Sequence, residues 1–245
     1  MKSSSDFSGL VVSWRFKFQV STKFLVTIQG VLVFVYLKIK RLIDIILSLI
    51  GLITLTPVFI ILIILIKLDS KGPVLFKQKR VGKNKTHFNI LKFRTMKIET
   101  PNDKPTHMLE NPEQYITRMG KFLRKTSLDE LPQIWNIFVG QMSIIGPRPA
   151  LWNQYDLIAE RDKYGANDVP PGLTGWAQIN GRDELPIEVK ANLDGEYVEK
   201  IGPLMDVKCF FGTVVSVLNS DGVVEGGTGT TANKEIASSE ESIFK

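Results

Sequence analysis

The sequence predicts a membrane-associated α+β protein: a re-entrant N-terminal helix, then a mostly helical domain with a small β-hairpin. Three observations carry this. The stretch Lys38–Leu68 holds 22 consecutive uncharged residues, Ile45 to Ile66, with Pro57 near its middle. Two short segments, Val74-Leu-Phe76 and His87–Phe93, flank the polar turn Gly82-Lys-Asn-Lys85. Beyond them, apolar residues recur mostly at helical spacing.

As a straight helix the uncharged run would be about 33 Å long, enough for a bilayer core of roughly 30 Å. Pro57 lacks an amide hydrogen and clashes with the carbonyl four residues back, so the helix should kink there. The Thr56 hydroxyl can bond a freed carbonyl, which makes the break tolerable in lipid. Lys38, Lys40 and Arg41 precede the run, and Lys67, Lys71, Lys77, Lys79 and Arg80 follow it. A spanning helix concentrates its basic residues on one side. Basic residues at both ends favour a broken helix that enters one leaflet and returns; a simple spanning helix and a buried core helix are the alternatives. Before it, Phe24–Leu37 form a second apolar run, interrupted by Gln29 and Gly30, too short to span and without a signal-peptide cleavage site. It reads either as an interfacial helix or as part of a truncated or over-extended N-terminus.

After the apolar stretch, Asp69-Ser-Lys-Gly-Pro73 is a turn and the hairpin follows. Residues 99–113, with Pro101, Pro105 and Pro112, read as a mobile loop. Ile116, Met119, Phe122 and Leu123 mark a helix. Another carries Ile134, Trp135, Ile137 and Phe138, with Pro132 in its first turn and its end near Gly140. Gly146-Pro-Arg-Pro149 is a rigid turn, Leu151–Lys163 a polar-faced helix, and Pro170–Gly175 a turn cluster. Helical patterns resume over Glu188–Lys200 and Leu204–Leu218, the last apolar on much of its surface. From Gly222 the composition predicts disorder. The expected organisation is therefore an extension (1–37), a re-entrant helix (38–68), a catalytic domain (69–221) and a tail (222–245).

The formal net charge is +6, unevenly distributed: Lys38–Lys97 holds 13 Lys and Arg against two acids, and the remainder is net acidic. A basic block beside an apolar stretch suits anionic headgroups and phosphate-bearing ligands. Nucleic acid would explain the charge but not the apolar run. Cys209 is the sole cysteine, which excludes an intramolecular disulfide, and His87 and His107 lack zinc-ligand companions. No P-loop or dinucleotide fingerprint is present.

The sharpest chemical candidates are Asp129 and Glu130, in Arg124-Lys-Thr-Ser-Leu-Asp-Glu-Leu-Pro132. Placed at a helix start beside Arg124 and Lys125, both carboxylates are expected to favour the ionised form. An ionised Asp can attack phosphorus or bind Mg²⁺. Ordinary N-terminal helix acids are the bland alternative, and Ser127 with Glu130 fits a capping box. In Gly146-Pro-Arg-Pro149, flanking prolines preorganise Arg148, whose planar donor fork suits phosphate; a stiff surface loop is the alternative. Arg182 and the Lys92/Arg94 pair carry the same ambiguity. Trp176 fits either stacking on a base or sugar or, more commonly, a place in the core.

Taken together, Lys40-Arg-Leu-Ile-Asp44, the Pro57 helix, Gly72–Gly82, Lys92-Phe-Arg-Thr-Met96, Ser127–Gln133, Met142–Pro149 and Pro171–Arg182 resemble the bacterial sugar transferases, the monotopic polyprenyl-phosphate phosphoglycosyl transferases. The resemblance covers about Lys38 to Val224. It implies transfer of a sugar-1-phosphate from a UDP-sugar to a polyprenyl phosphate with release of UMP, at the cytoplasmic face of a bacterial inner membrane. It implies Asp129 as nucleophile with Mg²⁺ beside it, Glu130 as its dyad partner in proton removal or orientation, and Arg124, Lys92, Arg94, Arg148 and Arg182 as phosphate or nucleotide contacts. Thr56-Pro57 stands where some relatives carry Ser-Pro, with the hydroxyl retained. The resemblance also implies a short form without extra N-terminal spanning helices, a membrane-lipid partner and no nucleic acid. It leaves homo-oligomerisation open and makes an N-acetylated aminosugar the first guess for the sugar. A glycosyltransferase releasing UDP and a non-enzymatic anionic-lipid scaffold are the rivals.

Overall fold

The computed structural model describes residues 6–100, 112–181 and 185–218, with side chains over 30–100, 113–181 and 185–216. The fold is α+β, as the sequence predicts. It divides into two compact units between Leu42 and Ile43. That division falls inside α1 (Asp6–Thr54), a single 49-residue helix. Gln29 and Gly30 do not interrupt it. A glycine in a helix costs only about 1 kcal/mol relative to alanine, too little to end one against its neighbours' preferences.

The break comes at Leu55. Helix α2 (Thr56–Asp69) starts there with Pro57 in its first turn, bent 59° from the preceding helix. The Leu55 amide still bonds the Gly51 carbonyl at 2.9 Å, and the Thr56 hydroxyl donates to the Leu52 carbonyl at 2.7 Å. Thr56 thus gives the Leu52 carbonyl at the break a side-chain donor, while the carbonyl that Pro57 itself leaves without an amide is that of Ile53. Among the described residues no single helix is long and apolar enough to cross a membrane; this bent pair passes only together.

Burial on the last turns of α1 is inverted relative to a water-exposed helix. Within the second unit, Asp44 and Ser48 of α1 are buried, whereas Ile46, Leu47, Ile50 and Ile53 are exposed. On α2, Leu62 and Ile66 face inward with Phe93 and Leu123, and the Phe59 and Phe93 rings lie 5.7 Å apart. Ile60, Ile61, Ile63, Ile64 and Leu65 stay uncovered.

The hairpin pairs β1 (Leu75–Val81) with β2 (His87–Phe93), Leu75 opposite Phe93 and Val81 opposite His87. Its tip, Lys83–Lys85, has Asn84 and Lys85 in the left-handed region. One face packs Phe88 and Ile90 on Ile137 and Met142. The elements that follow are α3 (Arg118–Lys125), the one-turn 3₁₀ segment Leu128–Glu130, and α4 (Gln133–Phe138). Pro132, expected in the first turn of α4, is instead its N-cap, and Gly140 (φ 91°) closes the helix in the left-handed conformation. Buried Asn136 ties α4 to β2 as a strand would: its Oδ1 accepts from the Leu91 amide and its Nδ2 donates to the Asn89 carbonyl.

A second sheet escapes sequence reading. β3 (Ser143–Ile145), which the sequence reading leaves unassigned before the Gly146–Pro149 turn, pairs parallel with β4 (Gly172–Thr174), inside the predicted Pro170–Gly175 turn cluster. Gly172 permits the pairing, since a Cβ there would lie 2.1 Å from the Gly146 nitrogen. The predicted Leu151–Lys163 helix shortens to α5 (Tyr155–Asp162), because Leu151 is drawn into a bridge with Arg80. The remaining helices are α6 (Trp176–Ile179), α7 (Ile187–Glu199) and α8 (Pro203–Leu218). A buried ion pair, Arg161 Nη2 to Asp194 Oδ2 at 2.6 Å, joins α5 to α7. Trp176 packs beside Ile145, Tyr197, Met205 and Cys209, the core placement of the two readings. The predicted loop ends in a 3₁₀ turn, Pro112–Tyr115; its central part, residues 101–111, and the predicted tail lie outside the described residues.

Candidate active site

Three elements far apart in sequence meet at Glu130. β2 contributes Lys92, the 3₁₀ turn contributes Asp129 and Glu130, and the Gly146–Pro149 turn contributes Arg148. Glu130 Oε1 accepts from Lys92 Nζ at 2.7 Å and from Arg148 Nη2 at 2.9 Å. Asp129, 9% exposed, makes a longer ion pair through Oδ2, 3.8 Å from Lys92 Nζ.

Local backbone chemistry produces this arrangement. Ser127 takes a left-handed conformation (φ 55°), unusual for a residue with a Cβ, and turns the chain sharply after α3. The capping box expected from Ser127 and Glu130 does not form: Ser127 makes no side-chain cap, and the Glu130 carboxylate reaches Lys92 and Arg148 instead. Two charge-assisted bonds outweigh one to a backbone amide. Leu128 and Leu131 anchor the turn in the core formed by α2, β2 and α3.

Adjacent carboxylates titrate in opposite directions. Burial would raise Glu130, but Arg148 and Lys92, each by charge and by hydrogen bond, hold its carboxyl well below the usual carboxylate range. For Asp129 burial wins: its carboxyl is raised above the ordinary value, helped by the Glu130 charge, against the pull of Lys92, Arg124 and Arg148. The expectation that both acids would favour ionisation is therefore corrected for Asp129. It rested on a solvent-exposed helix end, and desolvation reverses the sign.

Arg124 belongs to the same constellation. Its Nε donates to the Thr95 hydroxyl at 3.0 Å; burial lowers its guanidinium, and Asp129 pulls it back up. Thr95 is a positioning residue the sequence did not single out. Its carbonyl also accepts from the Thr117 amide, and it packs so closely on Gly120 that a Cβ there would sit 2.0 Å from its carbonyl oxygen.

Arg94 is placed elsewhere. Its guanidinium donates to the carbonyls of Lys71 (2.9 Å) and Ser70 (2.6 Å) and to the Ser70 hydroxyl, pinning the chain as it leaves α2. Lys92 and Arg94 would share a face on a continuous strand, but β2 stops at Phe93. Arg182 lies outside the described residues. Thr56 and Pro57 stand at the helix break. Among the described residues no three His, Cys, Asp or Glu side chains converge into a metal cage.

Comparison with known proteins supplies the kinship. Residues 35–220 match the bacterial sugar transferase family. The uncharacterised sugar transferase EpsL of Bacillus subtilis is 38% identical over 185 residues, covering 76% of this chain and 90% of that protein. The UDP-glucose:undecaprenyl-phosphate glucose-1-phosphate transferase of Escherichia coli K12 is 40% identical over 184 residues, 72% of this chain and 39% of that protein. The undecaprenyl-phosphate glucose phosphotransferase of Komagataeibacter xylinus is 37% identical over 187 residues, 71% of this chain and 35% of that protein. The chain thus spans well under half the length of the two glucose enzymes.

The opposite titration shifts give opposite stability effects. Asp129's folded pKa lies above its unfolded value, so stability falls as pH rises through that interval, and its charge is destabilising at neutral pH. Asp129→Asn should raise the unfolding midpoint, by about 1.4 kcal/mol for each pH unit of displacement. Glu130's folded pKa lies below its unfolded value, so its contribution is present above the unfolded pKa and fades in acid. Glu130→Gln should cost about 1–3 kcal/mol at pH 7 and less at pH 3, where the unfolded chain is already protonated but the folded carboxylate is not. Chemical denaturation of both variants at the two pH values checks this; the reverse order at pH 7 would refute the assignment. Through its matching family and its similarity to EpsL over three-quarters of its length, this chain belongs to the bacterial sugar transferases.

Proposed function

We propose that the chain transfers a sugar-1-phosphate from a UDP-sugar to a polyprenyl phosphate, releasing UMP, through a phosphosugar held on Asp129. The observation that carries this is the pairing of a desolvated, raised carboxylate with a neighbour committed to two cations. An oxygen of ionised Asp129 attacks the phosphorus that bears the sugar. The bond to the bridging diphosphate oxygen breaks, and UMP leaves with that electron pair. A phosphate oxygen of the polyprenyl carrier then attacks the same phosphorus, breaks the acyl-phosphate bond and restores the carboxylate. A carboxylate poor in solvent and raised in pKa is the better nucleophile.

Glu130 orients rather than deprotonates. With its carboxyl held low by Lys92 and Arg148, it is a weak proton acceptor at neutral pH. It keeps the two cations where diphosphate charge would gather, with the Arg124 charge also acting on Asp129. Asp129 would hold Mg²⁺ if the ion is used, since Mg²⁺ needs few protein carboxylates when phosphates complete its shell. There it would offset diphosphate charge.

The bent helices fit a re-entrant insertion, with both basic ends at one bilayer face. Support comes from the exposed isoleucines and leucines around buried Asp44 and Ser48, an arrangement costly in water and favourable in lipid. On this reading the site lies at the cytoplasmic surface of a bacterial inner membrane. Cysteines placed at Lys38 and Lys71 should label from the same face in sealed vesicles, fully buried Cys209 staying silent; labelling from opposite faces would refute re-entry.

Two relatives named for glucose make UDP-glucose the first donor to try, and N-acetylated aminosugar donors the next. With donor alone, intact mass should rise by one phosphosugar as UMP appears. Asp129→Asn should abolish both, lowering turnover by about 10³-fold or more. UDP as product would identify a glycosyltransferase. Anionic-lipid binding with no nucleotide released from any donor would identify a scaffold.

A further inference from the structure

We infer that Asp44, on the bent helix, is a positioning residue that sets Arg148 against Glu130 and so links the helix to the phosphate-binding cations. The inference rests on the transfer reaction proposed above. Asp44 is 4% exposed on a helix whose neighbouring residues are exposed isoleucines and leucines. A carboxylate does not occupy such a place without a partner. Its Oδ1 accepts a hydrogen bond from the Ile144 amide at 3.0 Å, one hundred residues away.

The receiving strand explains why this bond matters. β3 bonds β4 on one edge: Ser143 donates to the Pro171 carbonyl, and beyond the strand Gly146 donates to that of Thr174. Successive strand amides alternate in direction, so the Ile144 amide turns away from β4. Asp44 supplies the acceptor that a third strand would otherwise give. Four residues on stands Arg148, and little slack lies between. Gly146 is wedged against Pro170, Gly172 and Gly175, where a Cβ would lie 2.6 Å from the Pro170 carbonyl oxygen, and prolines 147 and 149 flank the arginine. A displacement of Ile144 is therefore carried into the guanidinium that bonds Glu130 at 2.9 Å. The Ser48 hydroxyl bonds the Asp44 carbonyl at 2.5 Å, fixing the helix at that turn.

The test is a double-mutant cycle in the full chain, reading UMP release from UDP-glucose with undecaprenyl phosphate in lipid nanodiscs. Misplacement of a charge-stabilising group by a fraction of an ångström costs on the order of 10-fold, so Asp44→Ala should lower kcat by that much with wild-type Arg148. In an Arg148→Ala background the same substitution should cost less than about 2-fold, because the group it positions is gone. Asp44→Asn keeps an oxygen acceptor and should stay within about 3-fold of wild type. Equal losses in both backgrounds, or an Asn variant as impaired as the Ala variant, would overturn the inference. Should the Ala variant not fold, the Asn variant still decides. Amide exchange supplies a reading independent of turnover: Asp44→Ala should speed exchange at Ile144, and an unchanged rate would overturn the link. If the wild-type chain releases no UMP from any donor, the transfer reading fails, while the exchange result still decides whether Asp44 holds β3.

Discussion

The fold around this site depends on one shared carboxylate. Glu130 sits between Lys92 and Arg148, and these residues come from a hairpin, a one-turn helix and a glycine-proline turn that have no local reason to meet. Removing either cation would leave a partly desolvated negative charge, and removing Glu130 would leave two positive charges in mutual repulsion. The cluster therefore closes the site only when all three elements are in place. It also explains why neighbouring carboxylates differ. Glu130 takes the short bonds to the cations, and Asp129 has burial and a longer ion pair. Environment rather than residue type divides their roles.

The supporting structure is stiff where the site needs it. Gly120 lies against the Thr95 backbone, and Gly146, Gly172 and Gly175 lie against one another, at separations no side chain would allow. Thr95 then directs Arg124, and the Gly146 turn directs Arg148. Both limbs of the bent helix pair connect to these supports. Asp44 holds β3, while Arg94 grips the chain at Ser70 and Lys71, and Asp69 accepts the Met119 amide at the start of α3. The α1 limb thus presents apolar residues outward and the polar Asp44 and Ser48 inward, while α2 buries Leu62 and Ile66 and leaves its other isoleucines uncovered.

Much of this was legible in the sequence because its causes are local. Proline at 57 dictates a bend through its missing amide, and the threonine before it supplies a hydroxyl within reach. The hairpin, α4 and the last two helices follow from periodicity and turn residues. What stayed hidden has non-local causes. Three-residue strands carry too little alternation to be seen, so β4 reads as part of a turn cluster and β3 goes unassigned until their parallel pairing is seen. Arg94 looks equivalent to Lys92 two residues earlier, and only the end of β2 separates them. The pKa of Asp129 could not be read from a helix start, because burial is a tertiary property. Asp44 lay within a recognisable motif, yet nothing in the motif names an amide a hundred residues on as its partner.

The central claim is that two adjacent carboxylates are held in opposite electrostatic states, one clamped by cations and the other desolvated. Site-resolved titration of the Asp129 and Glu130 side-chain carboxyls by ¹³C NMR, in the ligand-free chain, tests it most directly. Glu130 should remain ionised to the acid limit of folding while Asp129 takes up its proton above the ordinary aspartate range. Titration of both at ordinary values, or of Glu130 above Asp129, would contradict the account.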